Sequence, residues 1–141
     1  MENKRFRPMI DKTFWLIWVP TAVLLAVGTV IALSAPIALC ILIATDLFTL
    51  YFLVTSLFGY VELREKTVYI KFGFFTSREI PYDKIRDVSR ERKIYADSMI
   101  ALKNSLDHVN VRYNRFDIVS VSVVTNDELI SELQKRINTS N

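Results

Sequence analysis

The chain has few of the residues from which most active sites are built. Among 141 residues there is one cysteine, Cys40, and one histidine, His108. A lone cysteine excludes the disulfide framework that holds many small exported domains together. A lone histidine, with the cysteine inside an apolar run, leaves no ligand set for a metal. It is also the sole base available to any Ser/His/Asp or Cys/His arrangement, and it alternates with the apolar Val109 on what reads as a strand. Glycine occurs only at positions 28, 59 and 73, which excludes a glycine-rich phosphate loop. The composition therefore points to no cofactor, no small-molecule substrate and no enzymatic activity.

Charge is the other scarcity. Between residues 13 and 61 the only charged side chain is Asp46. Such a run is too long for one core helix, and about 20 apolar residues suffice to cross a bilayer. It divides into spans over residues 14–33 and 37–58 around a turn at Ser34-Ala35-Pro36, where a proline without an N–H is well placed. Pro20 falls early in the first span, where the missing donor costs least. Asp46 opposes the second span by about 2.5–3.5 kcal/mol, while the Leu, Ile, Phe and Val residues around it return about 4–8 kcal/mol together. Insertion wins. The first span is too long for the core of an ordinary signal peptide, and Leu33-Ser34-Ala35 resembles a cleavage site only loosely. With Pro36 and a second span following at once, it reads as a retained anchor.

Orientation follows from the positive charges. The tail over residues 1–12 carries Lys4, Arg5, Arg7 and Lys12, and the connecting turn carries none. Basic flanks stay in the cytoplasm, so two spans place both termini there, in a multi-pass protein of the cell (inner) membrane. Trp15, Trp18 and Tyr60 fall where amphipathic rings prefer the interface. The expected organisation is a basic tail (1–12), a transmembrane helical hairpin (13–59) and a cytoplasmic domain (60–141).

In that last segment the pattern changes to short alternating runs. Val61 and Leu63, then Val68, Ile70 and Phe72, then Ile80, Ile85 and Val88 predict strands with one buried face. So do Ile100 and Leu102, Val109, Val111 and Tyr113, and finally Val119, Val121 and Val123. Turn chemistry separates them at Glu65-Lys66, 73–77, Asn104-Ser105 and Asn114-Arg115. Thr125-Asn126-Asp127-Glu128 fits a capping box, and Leu129, Ile130, Leu133 and Ile137 follow at helical spacing, with Lys135 and Arg136 in the expected last turn. The fold class is thus a membrane α-helical hairpin plus an α+β domain. The domain holds six or seven antiparallel strands in a bent sheet or barrel, capped by a C-terminal helix, and it should fold alone from about Tyr60.

Strands followed by a terminal helix is the order of a pleckstrin-homology (PH) fold. Glu79-Ile80-Pro81-Tyr82-Asp83-Lys84-Ile85 resembles a signature of the bacterial PH-like domains called YyaB-like, and the stretch from Asp107 to Tyr113, with 118–124 and the helix, resembles their second signature. The resemblance covers about residues 60–137. It implies a PH-like fold, often preceded by an N-terminal hydrophobic hairpin, and no catalytic residues.

Two groups of residues remain as candidates for function. Intramembrane acids usually face a bundle interior. At the level of Asp46 the first span presents Leu24, with Thr21 and Gly28 a turn to either side, and Thr49 lies three residues along its own helix. Asp46 with Thr21 or Thr49 therefore reads as a clamp within the hairpin or between hairpins. The basic run over residues 84–93 offers Arg86, Arg90, Arg92 and Lys93 as an anion or partner patch, diluted by Asp83, Asp87 and Glu91. The segment from Tyr60 onward carries fourteen Lys/Arg against twelve Asp/Glu, with no basic stripe for nucleic acid. Two functional readings follow. One is a binding or scaffolding module held at the membrane, with a protein partner or itself as ligand. The alternative is an immunity or stress protein that protects the membrane against a bacteriocin or other membrane-active agent.

Overall fold

The structure is a computed structural model that describes residues 2–98 and 101–140. Strand β1 (Lys4–Phe6) comes first, followed by helices α1 (Lys12–Ile31) and α2 (Pro36–Phe58). A single 3-10 turn (Ala32–Ser34) joins the helices, and Pro36 opens α2, where its missing N–H would have no intrahelical partner. Then come β2 (Tyr60–Leu63), β3 (Thr67–Lys71), β4 (Ser77–Pro81), β5 (Ile85–Arg92), β6 (Ala101–Leu102), β7 (Asp107–Tyr113), β8 (Asp117–Val121) and α3 (Asn126–Ser140).

The strands form two four-stranded sheets, β1-β2-β3-β4 and β5-β7-β8-β6, rather than a closed barrel. β6 runs parallel to β8, a departure from the all-antiparallel expectation, because it enters from a long excursion after β5 instead of a tight turn. Ile100, expected in that strand, lies outside the described residues. The inner faces carry Val61, Leu63, Val68, Ile70 and Ile80 on one sheet and Val109, Val111, Val119 and Val121 on the other. Leu129 and Leu133 of α3 join the same core.

Residues 4–6, assigned to the tail by sequence, are the edge strand of the first sheet. Phe6 lies opposite Val61, Lys4 lies opposite Leu63, and the Phe6 ring is buried. Just beyond, the chain changes partners. Met9 N–H donates to the Ser122 carbonyl, Val124 N–H donates to the Arg7 carbonyl, and Pro8 bridges to Val123. The N-terminal segment thus ties one sheet to the other. Since β1 and β2 are neighbours in one sheet, the whole helical hairpin is an insertion between two paired strands.

The C-terminal helix also differs from its sequence reading. It continues to Ser140, so Lys135 and Arg136 are not in its last turn. Arg136 is buried, and its guanidinium donates to the carbonyls of Arg64 and Glu2 at 2.8 and 2.7 Å. Glu128 pairs with Lys4 at 2.6 Å, and that contact, with help from Thr125, holds its carboxyl below the usual range.

Candidate functional site

The helices present their apolar surface outward. Leu16, Leu24, Ile31, Ile37, Leu47 and Phe48 are all exposed, and both helices are long and apolar enough to cross a bilayer. Helices of this composition in a soluble core are buried on most sides.

Within the hairpin, Asp46 meets neither Thr21 nor Thr49. Thr29 Oγ1 donates to Asp46 Oδ2 at 2.8 Å, whereas Thr21 bonds back to the Ile17 carbonyl. The reason is directional. Helical side chains lean toward their own N-terminus. In antiparallel helices Asp46 therefore leans toward the connecting turn while Thr29 leans away from it. The steeper rise of the 3-10 turn adds to the offset. Asp46 Oδ1 is buried with no partner among the described residues. Gly28 faces Leu42 across the hairpin, with room for a Cβ at 3.9 Å. Cysteines introduced as Gly28→Cys and Leu42→Cys, in a Cys40→Ala background, therefore report hairpin closure by disulfide yield. Thr29→Val should reduce that yield, by the loss of an interhelical hydrogen bond of a kind worth about 0.6–1.7 kcal/mol between apolar helices in lipid, and Thr21→Val should leave it unchanged. Equal yields in the two variants would remove Thr29 from the clamp.

The domain grips both ends of the hairpin. Asp11 caps α1 through the Phe14 N–H at 3.1 Å, and its other oxygen accepts from Ser105 Oγ and the Leu106 N–H. Burial pushes this carboxyl up, but those donors outweigh it and hold it below the usual range. Asn104 Nδ2 donates to the Ser56 carbonyl near the end of α2. At the helix–strand junction, a Cβ on Gly59 would fall 2.8 Å from the Lys71 carbonyl and closer still to Leu102. Gly73, in the β3–β4 turn, has φ +118° and packs directly on Thr55, so both its backbone and its neighbour require glycine.

That turn lies alongside α2. Phe74 packs on Phe58 at 5.6 Å, and Phe75, 85% exposed, stacks on Tyr51 at 6.3 Å. Tyr51 is seven residues before Phe58, about 10 Å along the helix. The loop after β5, with Ile94 and Tyr95 exposed, lies on the α1 side, where Ile94 lines a cleft with Ile17, Trp18 and Asn104. Two apolar loops thus flank the helices.

The basic run does not form one patch. Arg90 binds Asp107 through two hydrogen bonds and also pairs with Asp127. These carboxylates raise the affinity of Arg90 for its proton still further, and the guanidinium in turn holds the Asp107 carboxyl below the usual range. Lys93 pairs with Glu91 and lies 3.5 Å from Asp97. Arg92 is exposed near the same strand end. Arg86 sits at a bulge, where the β5–β7 register shifts between Ile85 and Asp87. It donates to the Arg115 carbonyl at 3.4 Å and joins Arg112, Arg115 and Phe116 around a cleft of about 500 Å³. This cleft is at the far end of β5, β7 and β8 from the helices. Phe116 is 84% exposed there, at a turn where Asn114 has φ 51°. Sequence reasoning found Arg86 but missed Arg112, Arg115 and Phe116, because the cleft joins segments distant along the chain and only the Asn114-Arg115 turn marked the second of them.

The two stretches that carry the family resemblance fall on regular elements of the domain. The 79–85 stretch forms the end of β4 and the buried Tyr82 turn, and the 107–113 stretch forms β7. The bacterial PH domain family matches residues 59–137, more than half of the chain. The chain belongs to the bacterial PH domain family. No curated protein and no solved structure matches the chain. In the PH-like domain the signature residues are structural. Tyr82 donates to the Arg64 carbonyl at 2.9 Å, while Ile80 and Ile85 enter the core. PH domains are generally non-catalytic modules, and with two helices of spanning length this one is a membrane-associated binding module. A lone histidine suggested no metal set, yet folding brings Glu91, Asp97 and His108 together.

Proposed function

We propose that the chain is a non-enzymatic binding module anchored in the bacterial cell membrane by a two-span hairpin. Its PH-like domain lies at the cytoplasmic face and turns its far end to a protein partner. The observation that carries this reading is the double grip on the hairpin. Asp11 and Asn104 hold the helix ends, and Gly73 and Phe75 lie against α2. A domain held this way cannot swing on a linker, so its orientation to the bilayer is fixed and its effective concentration near other membrane components is high.

Two further observations support the topology. β1 and β2 pair in one sheet, which requires both ends of the hairpin on one side of the bilayer. Exposed Arg5 and Arg7 line a cleft with Leu57 and Phe58, where cytoplasmic basic flanks belong. Phe75, level with the second turn of α2 from its end, then lies among lipid, while Phe116 faces the cytoplasm.

The test combines fractionation with site-specific cross-linking in the full chain. The protein should remain in the pellet after alkaline carbonate, and a reporter fused after Asn141 should be active in its cytoplasmic format. A photoreactive residue at position 75 should form adducts with phospholipid, and one at position 116 should form adducts with protein alone. Release by carbonate, a periplasmically active reporter, or lipid adducts at both positions would overturn the reading.

A further inference from the structure

The central strands of the second sheet bury both faces. One side of β7 and β8 carries the valines of the core. The other carries His108, Asn110, Ser120 and Ser122, all fully buried. This polar layer is covered by the segment that follows β5. Asn110 Nδ2 donates to Asp97 Oδ2 at 2.9 Å, and Ser120 Oγ donates to Asn110 Oδ1 at 2.6 Å. Lys103 Nζ closes the covering loop by donating to the carbonyls of Lys93, Ile94 and Tyr95 at 2.6–3.0 Å.

One member of the layer is incomplete. His108 Nδ1 lies 3.0 Å from the Leu106 carbonyl, which can only accept, so Nδ1 carries the proton. That bond fixes the ring and leaves Nε2 as the site for a lone pair, and Nε2 is buried with no partner among the described residues. A buried polar atom without a partner is costly. One ring nitrogen of His108 and one carboxylate oxygen each of Glu91 and Asp97 lie within 4.8 Å of one another, and with Nδ1 taken by the backbone, Nε2 is the nitrogen left to bind. Glu91 faces His108 directly across the β5–β7 ladder. The Lys93 ammonium touches the two carboxylates from a half-exposed position and leaves Nε2 unused, and the Lys103 ammonium also lies close enough to attract Asp97.

We propose that Glu91, Asp97 and His108 form a binding site for a divalent transition metal of the zinc, cobalt or manganese class. One imidazole and two carboxylates suit such ions, with water completing the shell. The backbone bond at Nδ1 is the orienting contact that metal-binding histidines generally make, and Asn110 does the same for Asp97. A tetrahedral ion with ligands near 2.0–2.1 Å sets them about 3.3 Å apart. Asp97 lies on the covering loop and Glu91 has a flexible stem, so both can close that distance as Lys93 swings out to solvent. The bound ion pins the loop bearing Ile94 and Tyr95 to the sheet.

Cobalt(II) is the probe, because its visible absorption reports nitrogen and oxygen ligation directly. The full chain in detergent, freed of any affinity tag and stripped with chelator, is titrated with cobalt(II) and then with zinc. The expected result is saturable binding of one cobalt per chain, displaced by zinc, and tightened several-fold by Lys93→Met, which removes the competing ammonium. Asp97→Asn and Glu91→Gln, at more exposed positions, should abolish the absorption while leaving the far-ultraviolet circular dichroism unchanged. His108→Gln should abolish it too, and the other two variants decide the matter if that buried change unfolds the domain. Absence of saturable binding in the wild type overturns the proposal, even where Lys93→Met binds. So does binding that survives both Asp97→Asn and Glu91→Gln.

Discussion

Phe6→Ala should destabilise the β domain by about 3–5 kcal/mol, the usual cost of emptying a packed aromatic site. The ring is 4% exposed and belongs to the main core although the residue lies before both helices. Removing residues 2–9 altogether should be worse. That deletion uncovers the edge of β2 and removes the carbonyls that receive Arg136 and Val124 N–H. Typical domains have only about 5–15 kcal/mol in total, so the deleted chain should lose its cooperative melt in detergent. Arg5→Ala, on the outer face over the Tyr60 ring, is the control and should shift the midpoint little. Equal melting of the Phe6 and Arg5 variants would mean that β1 is an ornament of the sheet rather than part of it. A fragment beginning at Tyr60, self-sufficient by pattern alone, lacks this strand. It should be markedly less stable than one in which residues 2–10 are rejoined to Tyr60 by a short turn.

Leu133→Ala is the second large effect, expected at about 2–5 kcal/mol. Leu133 is 1% exposed at the centre of the apolar stripe of α3, which lies across β5, the Tyr82 turn and β7. Lys135→Ala, on the exposed side of the same helix, should change the melting temperature little. The two variants share helix and terminus, so a difference between them isolates packing from helix propensity. If they melt alike, α3 does not close the core.

The parts legible in the sequence are those governed by local periodicity. The uncharged run marked the two helices and their turn. Alternation at Val61, Leu63, Val68 and Ile70, and again at Val109 and Val111, marked the strands, because each has one face in the core. The helix over Leu129, Leu133 and Ile137 was equally plain. What escaped was decided by contacts across the chain. Three residues at Lys4–Phe6 cannot announce a strand when charges flank the one buried ring. Thr29 escaped because backbone level alone pairs Asp46 with Leu24, and the lean of both side chains shifts the meeting point. Arg136 read as a surface cation at a helix end, yet Arg64 and Glu2 bring carbonyls to it from opposite parts of the chain. The basic run misled in the opposite direction, since Asp107 and Asp127 arrive from elsewhere to neutralise Arg90.

Because the hairpin interrupts two adjacent strands, synthesis and assembly are tied in order. A ribosome releases β1 well before β2, and the early strand has no partner until both helices have been made. Joining ends separated by a chain of that length would cost about 3–4 kcal/mol in loop entropy were it free in water. In the membrane-anchored arrangement proposed above, two helices packed side by side in a bilayer bring those ends together in advance. Lipid would then act as a template for the sheet, and a copy that fails to insert would be left with an unpaired β2 edge and an uncovered core, the features by which quality control recognises an unfinished protein.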